Sequence, residues 1–153
     1  RFKLNQSIPL IFLILVFIQI GIGAFVSGMD AGKIYNSWPL MGETYFPDDN
    51  KLYNLFKISA LSDPSLMQFV HRNLAYVICI FYIFIFYKIY MNKMFDLYKS
   101  ISAIGFILIL QIILGILTII NGAQIYIASM HQISSIFLVS SSIYFFYLNS
   151  ESN

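Results

Sequence analysis

Four apolar stretches, each close to the length of a membrane span, constrain this chain more than any other feature. They run from about Ser7 to Gly28, Leu66 to Tyr87, Ile101 to Ile120 and Ile125 to Leu148. At a rise of about 1.5 Å per residue, each covers the roughly 30 Å hydrocarbon core of a bilayer. Lipid offers no partner to a bare amide, so such segments satisfy their own backbone groups as helices. Hydrophobic residues make up 59% of the chain and charged residues 10%, a balance foreign to an ordinary soluble domain. The expectation is an all-α integral membrane protein: a single four-transmembrane-helix bundle over residues 1–153, with a long outer loop after the first helix.

Charge placement predicts the orientation. Arg1 and Lys3 precede the first stretch, and Lys88, Lys93 and Lys99 surround the second connection against Asp96. The 29–65 connection instead carries Asp30, Glu43, Asp48, Asp49 and Asp63 against Lys33, Lys51 and Lys57. The positive-inside rule then puts both termini and the 88–100 connection on the cytoplasmic or matrix side, and the 29–65 and 121–124 connections outside. A net charge of +2 gives no argument for nucleic acid as a partner. Cys79, alone and mid-stretch, has no mate for a disulfide within the chain and reads as a small apolar filler. The sequence opens on Arg1, and the apolar run behind it is too long for the core of a signal peptide. A start inside a longer protein is the expected reading.

The 29–65 connection is long for a compact bundle, yet rich in residues that settle at a membrane interface: Tyr35, Trp38, Pro39, Leu40, Met41, Tyr45 and Phe46. Within it, Asn50 to Leu61 predicts a short interfacial helix. Leu52, Leu55 and Phe56 fall on one side, with Lys51, Asn54 and Lys57 elsewhere on the wheel. Such a helix serves either as a plain anchor or as a lid over a cofactor edge. Asp63 followed by Pro64 supplies an N-cap and a first-turn proline for the second helix. Gly28 and Gly32 bracket the exit of the first, where a helix C-terminus favours positive φ.

The chemistry concentrates in the only two histidines, His71 and His131. An imidazole in hydrocarbon is costly and marks a functional site by default. Counted from Ser65 and from Ile125, each lies about 9 Å into its helix. Two imidazoles at equal depth, on helices running in the same direction, point to two axial ligands of one haem. The competing reading is interhelical hydrogen bonding by each ring. Zinc and copper fit less well, because two imidazoles do not complete a tetrahedral site and the stretches hold no Asp, Glu or second Cys. Arg72 either snorkels to the outer interface or holds a haem propionate through charged hydrogen bonds. Ser134, Ser135, Ser140, Ser141 and Ser142 read as small positions for close helix packing. Since no carboxylate lies within a stretch, no general base is evident. Asp30 is the nearest candidate, or else a plain acid at a helix end.

A weak internal repeat supports the pairing. Gln19-x-x-x-Gly23 in the first stretch matches Gln111-x-x-x-Gly115 in the third. Phe69-Val-His71-Arg72-x-x-Ala75 in the second matches Ser129-Met-His131-Gln132-x-x-Ser135 in the fourth. Two similar helix pairs in one orientation imply a pseudo-two-fold axis along the membrane normal, with His71 and His131 facing each other across the bundle. Each ring wants its second nitrogen satisfied. Gln19 and Gln111 either do this or bond to each other or to a neighbouring helix.

These residues resemble a known family. The run Gly23-Ala-Phe-Val-Ser-Gly-Met-Asp30-Ala-Gly-Lys-Ile-Tyr35-Asn36-Ser-Trp38-Pro-Leu-Met-Gly42 is similar to the segment after the fifth transmembrane helix of haem A synthases. Phe69-Val-His71-Arg72-Asn-Leu-Ala-Tyr76 resembles that family's histidine motif on the next helix. Gln111-x-x-x-Gly115-x-x-Thr118 and Ala128-Ser-Met-His131-Gln132 resemble its final helix pair. Two departures stand out. Gly122-Ala123 replaces a common Val-Pro step, and the family has eight spans in two similar halves where this chain matches only the second.

The resemblance implies oxidation of a methyl group of haem O to a formyl group, giving haem A for terminal oxidases. It implies a b-type haem in this half, with His71 and His131 as its axial ligands and Arg72 beside it. Substrate haem and the catalytic residues, among them a glutamate, are then expected in an N-terminal half, so that these four helices alone are inactive. Implied partners are haem O, membrane lipid, the N-terminal half, and a haem O synthase or electron donor. The implied location is the bacterial or mitochondrial inner membrane. One alternative from another class is a stand-alone bis-histidine membrane cytochrome that only passes electrons, which leaves the 23–42 run unexplained. Another is a structural or transporter subunit with packing histidines.

Overall fold

The computed structural model describes residues 3–151. Helix α1 spans Ser7–Gly28, α2 Pro64–Met91, α3 Tyr98–Ile120 and α4 Ile125–Glu151. All four are long and apolar enough to cross a membrane, and the protein is an integral membrane four-helix bundle. Among the described residues the extended pairing is a single bridge between Met41 and Thr44. Both α2 and α3 outrun their apolar stretches, α2 by Lys88–Met91 and α3 by Tyr98–Ser100. Once a helix is nucleated, each added residue gains a backbone bond whatever its hydropathy.

Around the bundle, α1 packs on α2 and on α4, α3 packs on α4, and α2 approaches α3 more lightly. The histidine-bearing helices α2 and α4 are therefore diagonal. Towards the termini the interior is apolar, built from Phe12 and Val16 of α1, Ile78, Ile85 and Ile89 of α2, Ile104 and Leu108 of α3, and Leu138 and Phe145 of α4. Large apolar residues also face outward, among them Ile80, Ile83, Phe106 and Ile136. A helix apolar all round is what a lipid-facing bundle requires. Two contacts set close approaches. Tyr82 donates from its hydroxyl to the Ile101 carbonyl at 3.1 Å, occupying the space where a Cβ on residue 105 would stand. Asn149, buried in α4, accepts from the Leu4 N–H at 3.1 Å and donates to the Leu4 carbonyl at 3.1 Å.

The connections differ from expectation in two places. At the exit of α1 the left-handed position is Asp30 (φ 53°), and not Gly28 or Gly32. Aspartate tolerates that region, and here its carboxylate meets Lys33 Nζ at 2.8 Å in an exposed pair, worth little to stability. The helix expected over Asn50–Leu61 is replaced by two 3-10 turns, Leu52–Phe56 and Ile58–Ser62, broken at Lys57 (φ −95°, ψ 147°). Its two ends are joined, for Asn50 Nδ2 donates to Asp63 Oδ2 at 3.0 Å. A straight helix of that length would separate them by about 18 Å, so the segment folds back on itself. Phe56 and Ile58 stand at the fold, 87% and 89% exposed. Asp63 does cap α2, accepting from the Leu66 N–H at 3.1 Å.

Candidate functional site

At the loop end of the bundle the interior changes character. His71 of α2 and His131 of α4 turn inward from opposite corners, their ring centroids 6.4 Å apart and their planes crossed at 88°. Each Nδ1 is buried and has no hydrogen-bond partner. The reading in which each ring bonds a neighbouring helix therefore lacks its bonds. Among the described residues no three His, Cys, Asp or Glu side chains converge on a point, so the donor set stays at two imidazoles. Two imidazoles bound through nitrogen on opposite sides of one metal, at about 2 Å each, have centroids roughly 6 Å apart. The observed separation fits two imidazoles that share one metal atom.

Each histidine is held by the helix before it. Gln19 Nε2 of α1 donates to the His71 carbonyl at 3.0 Å, and Gln111 Nε2 of α3 donates to the His131 carbonyl at 2.9 Å. One turn further along the same helix faces lie Gly23 and Gly115. A Cβ on Gly23 would stand 3.1 Å from His71 Cε1, and one on Gly115 would stand 3.2 Å from His131 Cε1. The glutamine side chains thus bond the neighbouring helix through its main chain and do not reach the rings. The repeated Gln-x-x-x-Gly spacing was the signal for these contacts, and the glycines lie against the rings at positions the sequence left without a role.

Arg72 is 7% exposed, and its side chain reaches the 35–40 loop. Its Nη1 donates to the Ser37 carbonyl at 2.9 Å and the Leu40 carbonyl at 3.3 Å, and its Nη2 to the Tyr35 carbonyl at 3.1 Å. Nε is buried without a partner, and no carboxylate is among its contacts. The guanidinium therefore organises the 35–40 loop while its charge remains unneutralised. Gln68 Nε2 adds a bond to the Tyr35 carbonyl at 3.0 Å. Trp38 Nε1 donates to the Tyr76 hydroxyl at 3.1 Å, and the Tyr45 hydroxyl to Asn73 Oδ1 at 2.6 Å. Pro39, Met41, Tyr45, Phe69, Asn73 and Tyr76 close around the Arg72 side chain.

Further out, the loop is fastened by acids. Asp49 accepts from the Tyr35 hydroxyl at 2.9 Å and from the Ser65 hydroxyl at 2.6 Å. Partial burial, then the bond to Asp49, raises the Tyr35 phenol above its ordinary 10.0. Asp48 accepts from the Glu43 N–H at 2.9 Å and the Thr44 hydroxyl at 2.8 Å, and these bonds hold its carboxyl below the ordinary 3.8. Its Oδ2 fills the space a Cβ on residue 42 would need, and Gly42 takes φ +82°. Asp30, the one acid near a helix end that sequence reading singled out, sits in its surface pair with Lys33. Cys79 is partly buried and free.

The model of one protein family, described as Cytochrome oxidase assembly protein, matches residues 4–143. The chain belongs to that family. A curated relative named Heme A synthase, from Pelagibacter ubique, is 41% identical over 152 residues, covering 97% of this chain and 45% of that protein. A second of the same name, from Rickettsia prowazekii, is 37% identical over 157 residues, covering 94% and 44%. The chain thus spans less than half the length of these members of the cytochrome oxidase assembly family. No solved structure matches it.

Proposed function

We propose that this chain is the haem-binding, C-terminal half of a haem A synthase, the enzyme that converts a methyl group of haem O to the formyl group of haem A for cytochrome oxidase. In this reading His71 and His131 are the axial ligands of a b-type haem. The observation that carries it is the meeting of the two imidazoles, 6.4 Å apart, inside the membrane bundle. The relatives named Heme A synthase support the enzyme class. Their length, about twice that of this chain, supports an eight-helix whole whose other half binds haem O and holds the catalytic residues.

The bound haem would supply one-electron redox chemistry. The chain's own residues bind and orient it. Neutral imidazole is the ligand form, and the two nitrogens of each ring have separate tasks. Either ring nitrogen could serve as the ligand, the other carrying the proton. Arg72 brings a buried cation with a free Nε–H. A buried charge without an opposite charge is expensive, and a propionate carboxylate would neutralise it while accepting that hydrogen. The apolar walls exclude water from the ring edges.

Charge distribution supports an orientation with the loop end outside and both termini on the cytoplasmic or matrix side of an inner membrane. The electron donor, and a haem O synthase handing over substrate, would be partners of the whole protein. A second reading, a membrane cytochrome that only transfers electrons, rests on the absence of any carboxylate within the four apolar stretches.

The test is a reduced-minus-oxidised spectrum of the natural protein in detergent, with haem counted as its pyridine derivative, for the parent and for His71→Ala and His131→Ala. Loss of the same low-spin b-type signal in both variants is expected. An unchanged low-spin signal in both would overturn the ligand assignment. Formation of haem A from added haem O by the whole protein, of which this chain is the C-terminal half in this reading, separates the synthase from the simple cytochrome.

A further inference from the structure

The histidine pair is served by two copies of one contact set. On α1 and again on α3, a glutamine amide bonds the carbonyl of the histidine on the following helix. Four residues later, on the same helix face, a glycine lies against that histidine's Cε1. The amide fixes where the histidine's main chain sits relative to its neighbour. The bare glycine surface then limits how far the ring turns about its Cβ–Cγ bond, since a methyl group there would meet the ring at 3.1 or 3.2 Å. Backbone position and ring rotation together define the plane of an imidazole. Plane angles on opposite faces of a metal are independent unless something sets each of them.

We propose that Gln19 with Gly23, and Gln111 with Gly115, are paired positioning residues that set the two imidazole planes and hold them crossed. The inference rests on the haem reading above and extends it from ligand identity to ligand orientation. The copies differ in one respect. Gln111 Nε2 also bonds the buried Ser134 hydroxyl, which itself donates to the His131 carbonyl at 3.0 Å. In α2 the matching position is Leu74, and Gln19 Oε1 is buried without a partner. The clamp on His131 is therefore the more completely bonded of the two.

Crossed imidazole planes on low-spin ferric haem give a strongly anisotropic EPR spectrum, and turning the planes towards parallel makes it more rhombic. The natural protein is purified with its haem and compared with Gly23→Ala, Gly115→Ala and the control Gly21→Ala, whose added Cβ meets nothing within 4 Å. Haem per chain is counted separately in each. The first two variants should keep their haem and each shift the low-spin signal towards rhombic, while Gly21→Ala overlays the parent. Alanine is the better helix former, so propensity alone cannot unfold these variants. Should the added methyl expel haem, Gln19→Leu and Gln111→Leu remove the hold on the carbonyl without crowding the ring, and the same shift is expected with haem retained. Parent-like spectra in the glycine or glutamine variants, or an equal shift in Gly21→Ala, overturn the proposal. A parent with no low-spin signal dependent on His71 and His131 overturns the haem reading itself, which is a different result.

Discussion

At the scale of single residues, the loop end depends on side chains that serve main-chain groups. Arg72 is the clearest case, because one planar fork reaches three carbonyls of the 35–40 segment. Lysine offers a point charge and cannot reproduce that geometry. Arg72→Lys should loosen the loop by about 1–3 kcal/mol, read as faster proteolysis within residues 35–48 while the helices stay protected. Asp48 gives a pH dependence of known sign. Its folded carboxyl is depressed below 3.8, so its contribution is fully present above that value and is lost as pH falls through the depressed one. Fluorescence of Trp38, the only tryptophan, should stay flat from neutral pH down to that range and change below it. Asp48→Asn should abolish that transition. Neither Arg72's carbonyl partners nor Asp48's amide partner was legible in the sequence, because a main-chain group carries no residue signature. What was legible was that an arginine beside an intramembrane histidine had to find partners.

At the scale of elements, span length and hydropathy specify the helices almost unaided, since lipid leaves no other way to satisfy the backbone. Their polar ends are less legible. The added turns of α2 at Lys88–Met91 lie outside the apolar stretch and continue only because helix propagation favours them. The 50–61 segment misleads for a physical reason. Its apolar spacing suits an α-helix, yet the Asn50–Asp63 bond joins residues 13 apart and forces a reversal that no periodicity encodes. Gly105 was likewise silent in the sequence. It lies under the Tyr82 hydroxyl where α2 and α3 come together. Gly105→Ala should displace that hydroxyl from the Ile101 carbonyl and cost about 1–3 kcal/mol, seen as a lower melting temperature in detergent. Gly28→Ala, with open space around its Cβ, should not.

At the scale of the whole molecule, the bundle consists of two helix pairs whose histidines stand on diagonal members. In the proposed function, a metal shared by those histidines would tie one pair to the other. Ligand that binds only the folded state raises stability by mass action. The apo protein should therefore gain thermal stability on adding haem, and His71→Ala and His131→Ala should each abolish that gain, since either loss cuts the tie. The repeat visible in the sequence anticipated a diagonal arrangement. Of the readings open for the glutamines, the bond to a neighbouring helix is the one observed; that it goes to the histidine carbonyls and leaves the rings to the glycines was not legible.

The Arg72–loop contacts also have a consequence for biosynthesis. α1 and the 29–63 loop leave the ribosome before α2, so for a time the carbonyls of Tyr35, Ser37 and Leu40 have no guanidinium to receive them. Arg72, for its part, enters the bilayer region as a charge that hydrocarbon rejects. Each is the remedy for the other: the loop completes these bonds only when α2 arrives, and the Arg72 charge is covered only when the loop is there. Closing of the loop and burial of the Arg72 charge thus depend on the same hydrogen bonds, and a chain lacking them carries both defects at once.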